Sequence, residues 1–261
     1  MQNQNKLFKR AFRFGKPVFR GGIRALLDFI YPPQCILCNS RLEAFQYLCP
    51  SCESAFFRQK QISVQEKQSD FPNLKSKLKL KQVCTLWHFE DTIEELIHRV
   101  KYQNGPRLGK WLGMQVEREH GFFSQFTEPP IIIPVPLHAE RRRERGYNQS
   151  ECIAQGLHEK LGYPIHTHIL NRVRKTRTQT ALTAEERQRN VENAFRVIMA
   201  GPIQLKPILL VDDVITTGAT VNQCAEVLLE AGCGDVYALA LARPLEFAHA
   251  GQVGPFLNKT P

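Results

Sequence analysis

No stretch of this sequence approaches the roughly 20 consecutive apolar residues that a membrane-spanning helix needs. The N-terminus has no continuous apolar core followed by a small-residue cleavage site, so no secretory leader is read there and a cytoplasmic protein is the expectation. No segment repeats at a fixed period. Acids are in short supply: 25 Asp and Glu face 35 Lys and Arg, for a formal net charge of +10. That imbalance favours an anionic partner such as nucleic acid, a phosphorylated small molecule or an acidic membrane surface. The basic residues clump at 75–81, 141–145, 172–177 and within the first thirty residues. Each clump reads either as a solvated face or as an anion-binding patch.

What is present supports a packed protein. The 261 residues suffice for one good-sized domain and a small one, and a 43% hydrophobic content is enough to fill a core. Residues 1–30 form a basic segment with apolar residues at helical intervals. It suits either a membrane surface or the protein's own body. A small turn-rich module at 31–58 follows, then a polar connector at 59–83, a main domain at 84–245 and a tail at 246–261.

Eight cysteines fall into two groups. Cys84, Cys152, Cys224 and Cys233 stand alone and read as small core residues. Cys35, Cys38, Cys49 and Cys52 form two CxxC pairs. Each pair offers two thiolates from one tight turn, which suits tetrahedral zinc, and four cysteine ligands leave no open coordination position. The expected metal is therefore a structural Zn²⁺. Two pairs this close together argue against a redox CxxC.

From residue 84 the pattern becomes α/β. "CTLWHF" (84–89) and "PILLV" (207–211) read as strands, as do "IIIPVPL" (131–137), "PIHTHILNRV" (164–173) and "VYALALA" (236–242). Helical patterns lie between several of them, with Thr92 and Glu95 at capping-box spacing and Gly162 closing the helix that starts near Asn148. Apolar strands alternating with helices predict a parallel sheet.

"LLVDDVITTGATV" (209–221) carries the chemistry. In an open parallel sheet, ligands bind outside the carboxyl ends of the strands. Asp212 and Asp213 fall at such an end, and a turn through Thr216, Thr217, Gly218, Ala219 and Thr220 opens a helix. Backbone amides and hydroxyls converging there suit a phosphate. Two acids beside an anion site make sense if one ligand carries both a phosphate and a ribose diol. The Gly-Lys-Ser/Thr end of a Walker A loop is absent.

This string resembles the phosphoribosyl pyrophosphate (PRPP) signature of type I phosphoribosyltransferases. Together with "LLDFIYPPQCILC…CPSC", "VKYQNG", "PVPLHAERRRERGYNQS" and "RTQTALTAEERQRNVENAF", in that order, it resembles the ComF family of bacterial competence proteins, which includes the GntX-like proteins. The resemblance runs from about Leu26 to Arg243. It implies a parallel-sheet type I phosphoribosyltransferase fold with an N-terminal four-cysteine zinc ribbon. It also implies PRPP binding with Mg²⁺, and support of DNA uptake across the inner membrane during transformation.

By the same resemblance, Asp212 and Asp213 hold the ribose and Thr216–Thr220 the 5′-phosphate. Arg145, with Arg141, contacts the diphosphate, although a solvated basic loop is the other reading of 141–143. Lys101 and Tyr102 match the family's Lys-Tyr pair and either bind ligand or shape the fold. Gln179, Arg187 and Asn190 lie in a stretch resembling the loop that closes over PRPP. His138 reads as structural before catalytic. Asp212, Asp213 and Arg145 are the catalytic candidates.

Thr216 stands where some purine-salvage relatives carry an acid, so the acceptor is open. The expected partners are PRPP or a related phosphorylated ribose, single-stranded DNA and the competence uptake machinery, with peripheral contact at the inner membrane. The alternative is a non-catalytic DNA-binding or PRPP- or nucleotide-sensing module on the same fold.

Overall fold

The computed structural model describes residues 32–43, 46–59, 64–66, 71, 74, 77–88, 91–103, 105–116, 121–174 and 193–244. They fall into two compact units divided between Cys52 and Glu53.

In the first unit, the chain turns tightly at Cys35–Asn39, where the Asn39 amide donates to Cys35 O at 2.9 Å and Asn39 takes φ 59°. The Ile36 amide donates to Tyr47 O at 2.9 Å, and Gln34 bridges Arg41. Among the described residues of this unit, Ile36, Leu42 and Leu48 are buried apolar residues beside Cys35. A metal held by four cysteines adds its binding free energy to the folding of such a module. Helix α1 (Pro50–Gln59) carries Cys52 in its first turn.

The second unit is built on a five-stranded sheet. Its strands are β1 (Val64–Glu66), β2 (Gln82–His88), β3 (Ile131–Pro134), β6 (Ile208–Val214) and β7 (Val236–Arg243), in the order β1-β2-β7-β6-β3. β2, β7, β6 and β3 run parallel, and β1 is an antiparallel edge. The apolar runs explain the class: β3 and β7 are buried at every residue, as strands covered on both faces must be.

Between the strands lie α2 (Asp91–Tyr102), α3 (Gly105–Met114), α4 (Ala139–Arg145), α5 (Gln149–Leu161) and α6 (Ala219–Glu230). α3 and α5 touch backbone to backbone. A Cβ on Gly156 would lie 2.0 Å from Lys110 O, and one on Gly113 would lie 2.1 Å from Ile153 O. The expected class, parallel-sheet α/β with a four-cysteine ribbon, is the one observed.

Several local expectations change. Thr92 lies inside α2, and Glu95 bonds Arg99 at 2.5 Å instead of closing a capping box. The stretch 164–173 does not join the main sheet as a full strand. It touches the edge of β3, where Ile132 N donates to Pro164 O (2.8 Å) and His166 N to Ile132 O (2.9 Å). It then turns away, and β4 (Leu170–Arg172) pairs antiparallel with β5 (Phe195–Val197) in a separate hairpin. The polar run at His166–His168 offers no apolar face to continue along the sheet.

The stretch expected as a connector contributes β1 and buries Phe71, Leu74 and Leu80 in the core shared with α6. Of the lone cysteines, Cys84, Cys152 and Cys224 are buried as expected, and Cys233 is half-buried.

Candidate functional site

β6 extends past the apolar residues that anchor it, so Asp212 and Asp213 are the last residues but two and but one of the strand. Asp213 is buried, and its Oδ2 pairs with Lys101 Nζ, from the last turn of α2, at 2.7 Å. Its Oδ1 accepts the Val214 amide at 2.9 Å. Asp212 is half-buried. Its Oδ1 accepts the Ser150 hydroxyl at 2.8 Å and the Asp213 amide at 2.9 Å. Ser150 is placed by Asn148, which caps α5: Asn148 Oδ1 accepts the Ser150 amide (3.2 Å) and Nδ2 donates to Val135 O (3.0 Å).

The two acids are driven apart. For Asp212, burial and then the neighbouring Asp213 charge push the carboxyl up to about 7, against the Ser150 hydrogen bond. For Asp213, burial also pushes upward, but the Lys101 charge and hydrogen bond outweigh it and the net direction is down. Burial alone would lower Lys101; Asp213 raises it above its ordinary value. Lys101 and Asp213 therefore stay charged as a pair, and Asp212 is the carboxyl poised to change protonation near neutrality. Unlike environments for paired carboxyls are a mark of unlike roles.

The turn after β6 is held from beneath. Gly218 has φ 78° and stands at the start of α6 with no side-chain cap. A Cβ there would lie 2.9 Å from Phe71 Cδ1, and the Arg243 guanidinium lies 4.1 Å from the centroid of the same ring. The connector also docks on the first turn of α6, where Lys79 N donates to Asn222 Oδ1 at 2.6 Å. Thr217 is buried and its hydroxyl accepts the Ala219 amide at 3.4 Å. Thr216 and Thr220 are half-buried and Ala219 is buried.

Beside the strand end, between the α2–α3 turn and α4, lies a cavity of about 890 Å³. Lys101, Tyr102, Arg141 and Arg145 line it, and Asp212, Asp213 and the Thr216–Thr220 turn are outside its lining. Lys101 joins the two regions. Arg145 Nη1 donates to Gln149 Oε1 at 2.6 Å, and its guanidinium lies 5.3 Å from the Tyr102 centroid. His138 caps α4, accepting the Glu140 amide, in the structural role expected of it. Gln179, Arg187 and Asn190 lie outside the described residues, as do residues 1–31 and the tail from 245.

Sequence reasoning missed Ser150, Phe71, Arg107 and Arg243. Ser150 ends the "GYNQS" motif, where its position signalled it. Phe71 had one signal, a lone aromatic in a polar stretch.

In the first unit, the sulfurs of Cys35, Cys38, Cys49 and Cys52 all lie within 4.8 Å of one another, with Cys38 and Cys49 at 3.6 Å. A tetrahedral ion with metal–sulfur bonds of about 2.3 Å holds its ligands at such separations. A model of the double zinc ribbon domain matches residues 26–62. These cysteines form a zinc ribbon, and the zinc is structural. Chelating it is expected to release one metal per chain and unfold the ribbon, while the far-UV circular dichroism of the α/β unit persists. Loss of the whole spectrum in one transition would contradict this.

The chain is 31% identical to Competence protein F of Haemophilus influenzae over 216 residues, covering 81% of this chain and 85% of that protein. The chain belongs to the ComF family. This ComF-family chain is also 30% identical to the DNA utilization protein YhgH of Escherichia coli over 217 residues, covering 81% of itself and 90% of that protein. Among solved structures it resembles an allosteric regulatory enzyme of purine biosynthesis at 22% identity. That match covers 55% of this chain and 30% of the enzyme, with a TM-score of 0.37.

Proposed function

We propose that this ComF-family protein binds PRPP or a related phosphorylated ribose at the end of β6 and supports DNA uptake across the inner membrane into the cytoplasm. In this reading the main domain, within 84–245, does the binding, and the ribbon at 31–58 is a separate module. The protein works in the cytoplasm, with peripheral contact at the inner membrane. Among the described residues no helix is long and apolar enough to cross a membrane.

One observation carries the reading. A half-buried carboxyl beside a second carboxyl stands at the carboxyl end of a parallel strand, directly before a turn that opens a helix. Asp212 takes a ribose hydroxyl, the amides of Thr216–Thr220 take the 5′-phosphate, and Arg141 and Arg145 take the diphosphate. Asp212 also fits Mg²⁺. Its donor is a hard oxygen, and burial next to Asp213 makes added positive charge favourable there. Bound with the ligand, Mg²⁺ offsets charge on the diphosphate oxygens.

As a transferase, the protein would position an acceptor whose lone pair forms the new bond to ribose C1. The bond from C1 to the diphosphate oxygen breaks, its electron pair leaves on pyrophosphate, and the acceptor's proton passes to solvent. The chain's part is to orient the ribose through Asp212, hold the leaving group with arginines and exclude water. A second reading, a PRPP- or nucleotide-sensing or DNA-binding module without turnover, draws support from the Lys101–Asp213 pair. With that carboxylate already neutralised, Asp212 is left as the acid that faces ligand.

Calorimetric titration of PRPP with Mg²⁺ tests the binding. Heat is expected with wild type and is expected to vanish in Asp212→Ala/Asp213→Ala with zinc content unchanged. No heat with wild type at millimolar ligand ends the reading. Affinity for single-stranded DNA, in the same proteins, is expected to fall steeply with salt and to ignore the double substitution.

A further inference from the structure

The cavity next to the strand end is larger and more cationic than a diphosphate requires. Its volume of about 890 Å³ is in the range of sites for whole small molecules, roughly 300–1,000 Å³. Lys101, Arg107, Arg141 and Arg145 line it, with Glu144 as the one acid among the described lining residues. The α4 arginines are sorted by face. Arg142 turns to Glu151 at 3.0 Å, while Arg141 and Arg145, four residues apart, share the cavity side. Arg145 meets a neutral amide oxygen, not a carboxylate. Lys101 is offset by Asp213 at 2.7 Å, yet Arg107 and Arg145 still outnumber Glu144 in the lining, an excess that an entering anion would balance.

Arg107 stands on the other wall, in the first turn of α3, and belongs to none of the motifs that point to PRPP. That wall is fixed. The Tyr147 hydroxyl donates to Val100 O, and its ring fills the space beside Gly105, where a Cβ would lie 3.1 Å away. Gly105 takes φ 44° to make this approach. Tyr102, also in the lining, is 66% exposed and offers aromatic surface next to the cations. Cations beside an exposed aromatic ring suit a nucleotide, phosphate on one and base on the other.

We propose that the cavity holds a second ligand beside the ribose phosphate: the phosphate monoester of a nucleoside, anchored by Arg107. This deepens the PRPP reading, which places the diphosphate on the α4 side, by giving the acceptor or effector a chemical class. The same chemistry has two sources, a free nucleotide and the 5′-phosphorylated end of a nucleic-acid strand.

The test uses the full zinc-loaded chain and calorimetry, with AMP and a 5′-phosphorylated thymidine oligonucleotide as probes and the 5′-hydroxyl oligonucleotide as reference. Arg107→Gln is expected to weaken binding about tenfold, the loss of one charge-assisted contact. Lys206→Gln removes an exposed cation paired with Glu128 at 2.7 Å, away from the cavity lining, and is expected to change binding less than twofold. AMP binding that depends on Arg107 assigns the site to free nucleotides. Arg107-dependent binding of the phosphorylated oligonucleotide without AMP binding assigns it to strand ends.

Binding of neither probe, or equal losses in Arg107→Gln and Lys206→Gln, overturns the proposal. So does an Arg107 effect equally large with the 5′-hydroxyl strand. PRPP titrated into the same samples separates the two readings. PRPP binding without nucleotide binding removes this inference alone, and nucleotide binding without PRPP binding removes the ribose-phosphate reading alone.

Discussion

Gly218→Ala is expected to lower stability by about 3 kcal/mol and to abolish PRPP binding. Two costs combine. At φ 78° the residue is in the left-handed region, where a side chain costs about 1–2 kcal/mol. The new methyl would also lie 2.9 and 3.0 Å from two carbons of the Phe71 ring. Phe71 is fully packed, with Arg243 stacked on it, so the ring has no room to retreat and overpacking adds about 1–3 kcal/mol.

The turn relaxes instead, and the amides assigned to the 5′-phosphate shift with it. Urea denaturation checks the size, with Gly146→Ala as reference. Gly146 has φ 82° but nothing within 4 Å of an added Cβ, so it reports the backbone cost alone. Equal losses at the two glycines would mean that Phe71 does not brace the turn. Phe71→Leu in the Gly218→Ala background is expected to recover part of the difference.

The same brace shows what the sequence could and could not reveal. β3, β6 and β7 were legible because each is a short apolar run that parallel packing buries on both faces. The acid pair and the glycine turn were legible because their order along the chain reproduces their order in space. Four cysteines at CxxC spacing likewise encode their own geometry. Phe71 was not legible, because its partners, Gly218 and Arg243, are more than 140 residues away and its surroundings are polar.

Lys101 and Ser150 stood inside quoted motifs, yet their partners could not be read. Which carboxylate takes the lysine and which the hydroxyl depends on how α2 and α5 abut the end of β6. Residues 164–173 were misread because an apolar Ile169–Leu170 pair is equally at home in the main sheet or in a separate hairpin. Only the tertiary packing decides.

Asp212→Asn is expected to stabilise the protein at pH 8 by about 2 kcal/mol and to leave it unchanged near pH 4, while removing PRPP binding. Burial and the Asp213 charge raise Asp212 from 3.8 to about 7. Between those values the folded chain holds a proton that the unfolded chain has released. Stability therefore falls as pH rises through that window, and the full deficit is present above about 7. Raising the carboxyl from 3.8 to about 7 corresponds to about 4 kcal/mol, and the partial solvent access of Asp212 reduces this to about half.

Asparagine keeps an oxygen for the Ser150 hydroxyl and the Asp213 amide, so it removes the charge and little else. Asp213→Asn has the opposite sign. Its carboxyl is held down by Lys101, so its contribution is present above the ordinary carboxylate range and is lost as pH falls through its lowered value. Its loss at neutral pH strands the Lys101 charge, at a cost of about 3–5 kcal/mol.

Urea titrations of both variants from pH 4 to 8 check the contrast. An Asp212→Asn that destabilises at pH 8, or whose effect does not change with pH, would show that this carboxyl is not held against its preference. In the proposed reading, a carboxylate that lowers the stability of its own fold at neutral pH is kept for the ligand it binds. The neighbouring acid, paired with Lys101, needs no ligand to account for its charge.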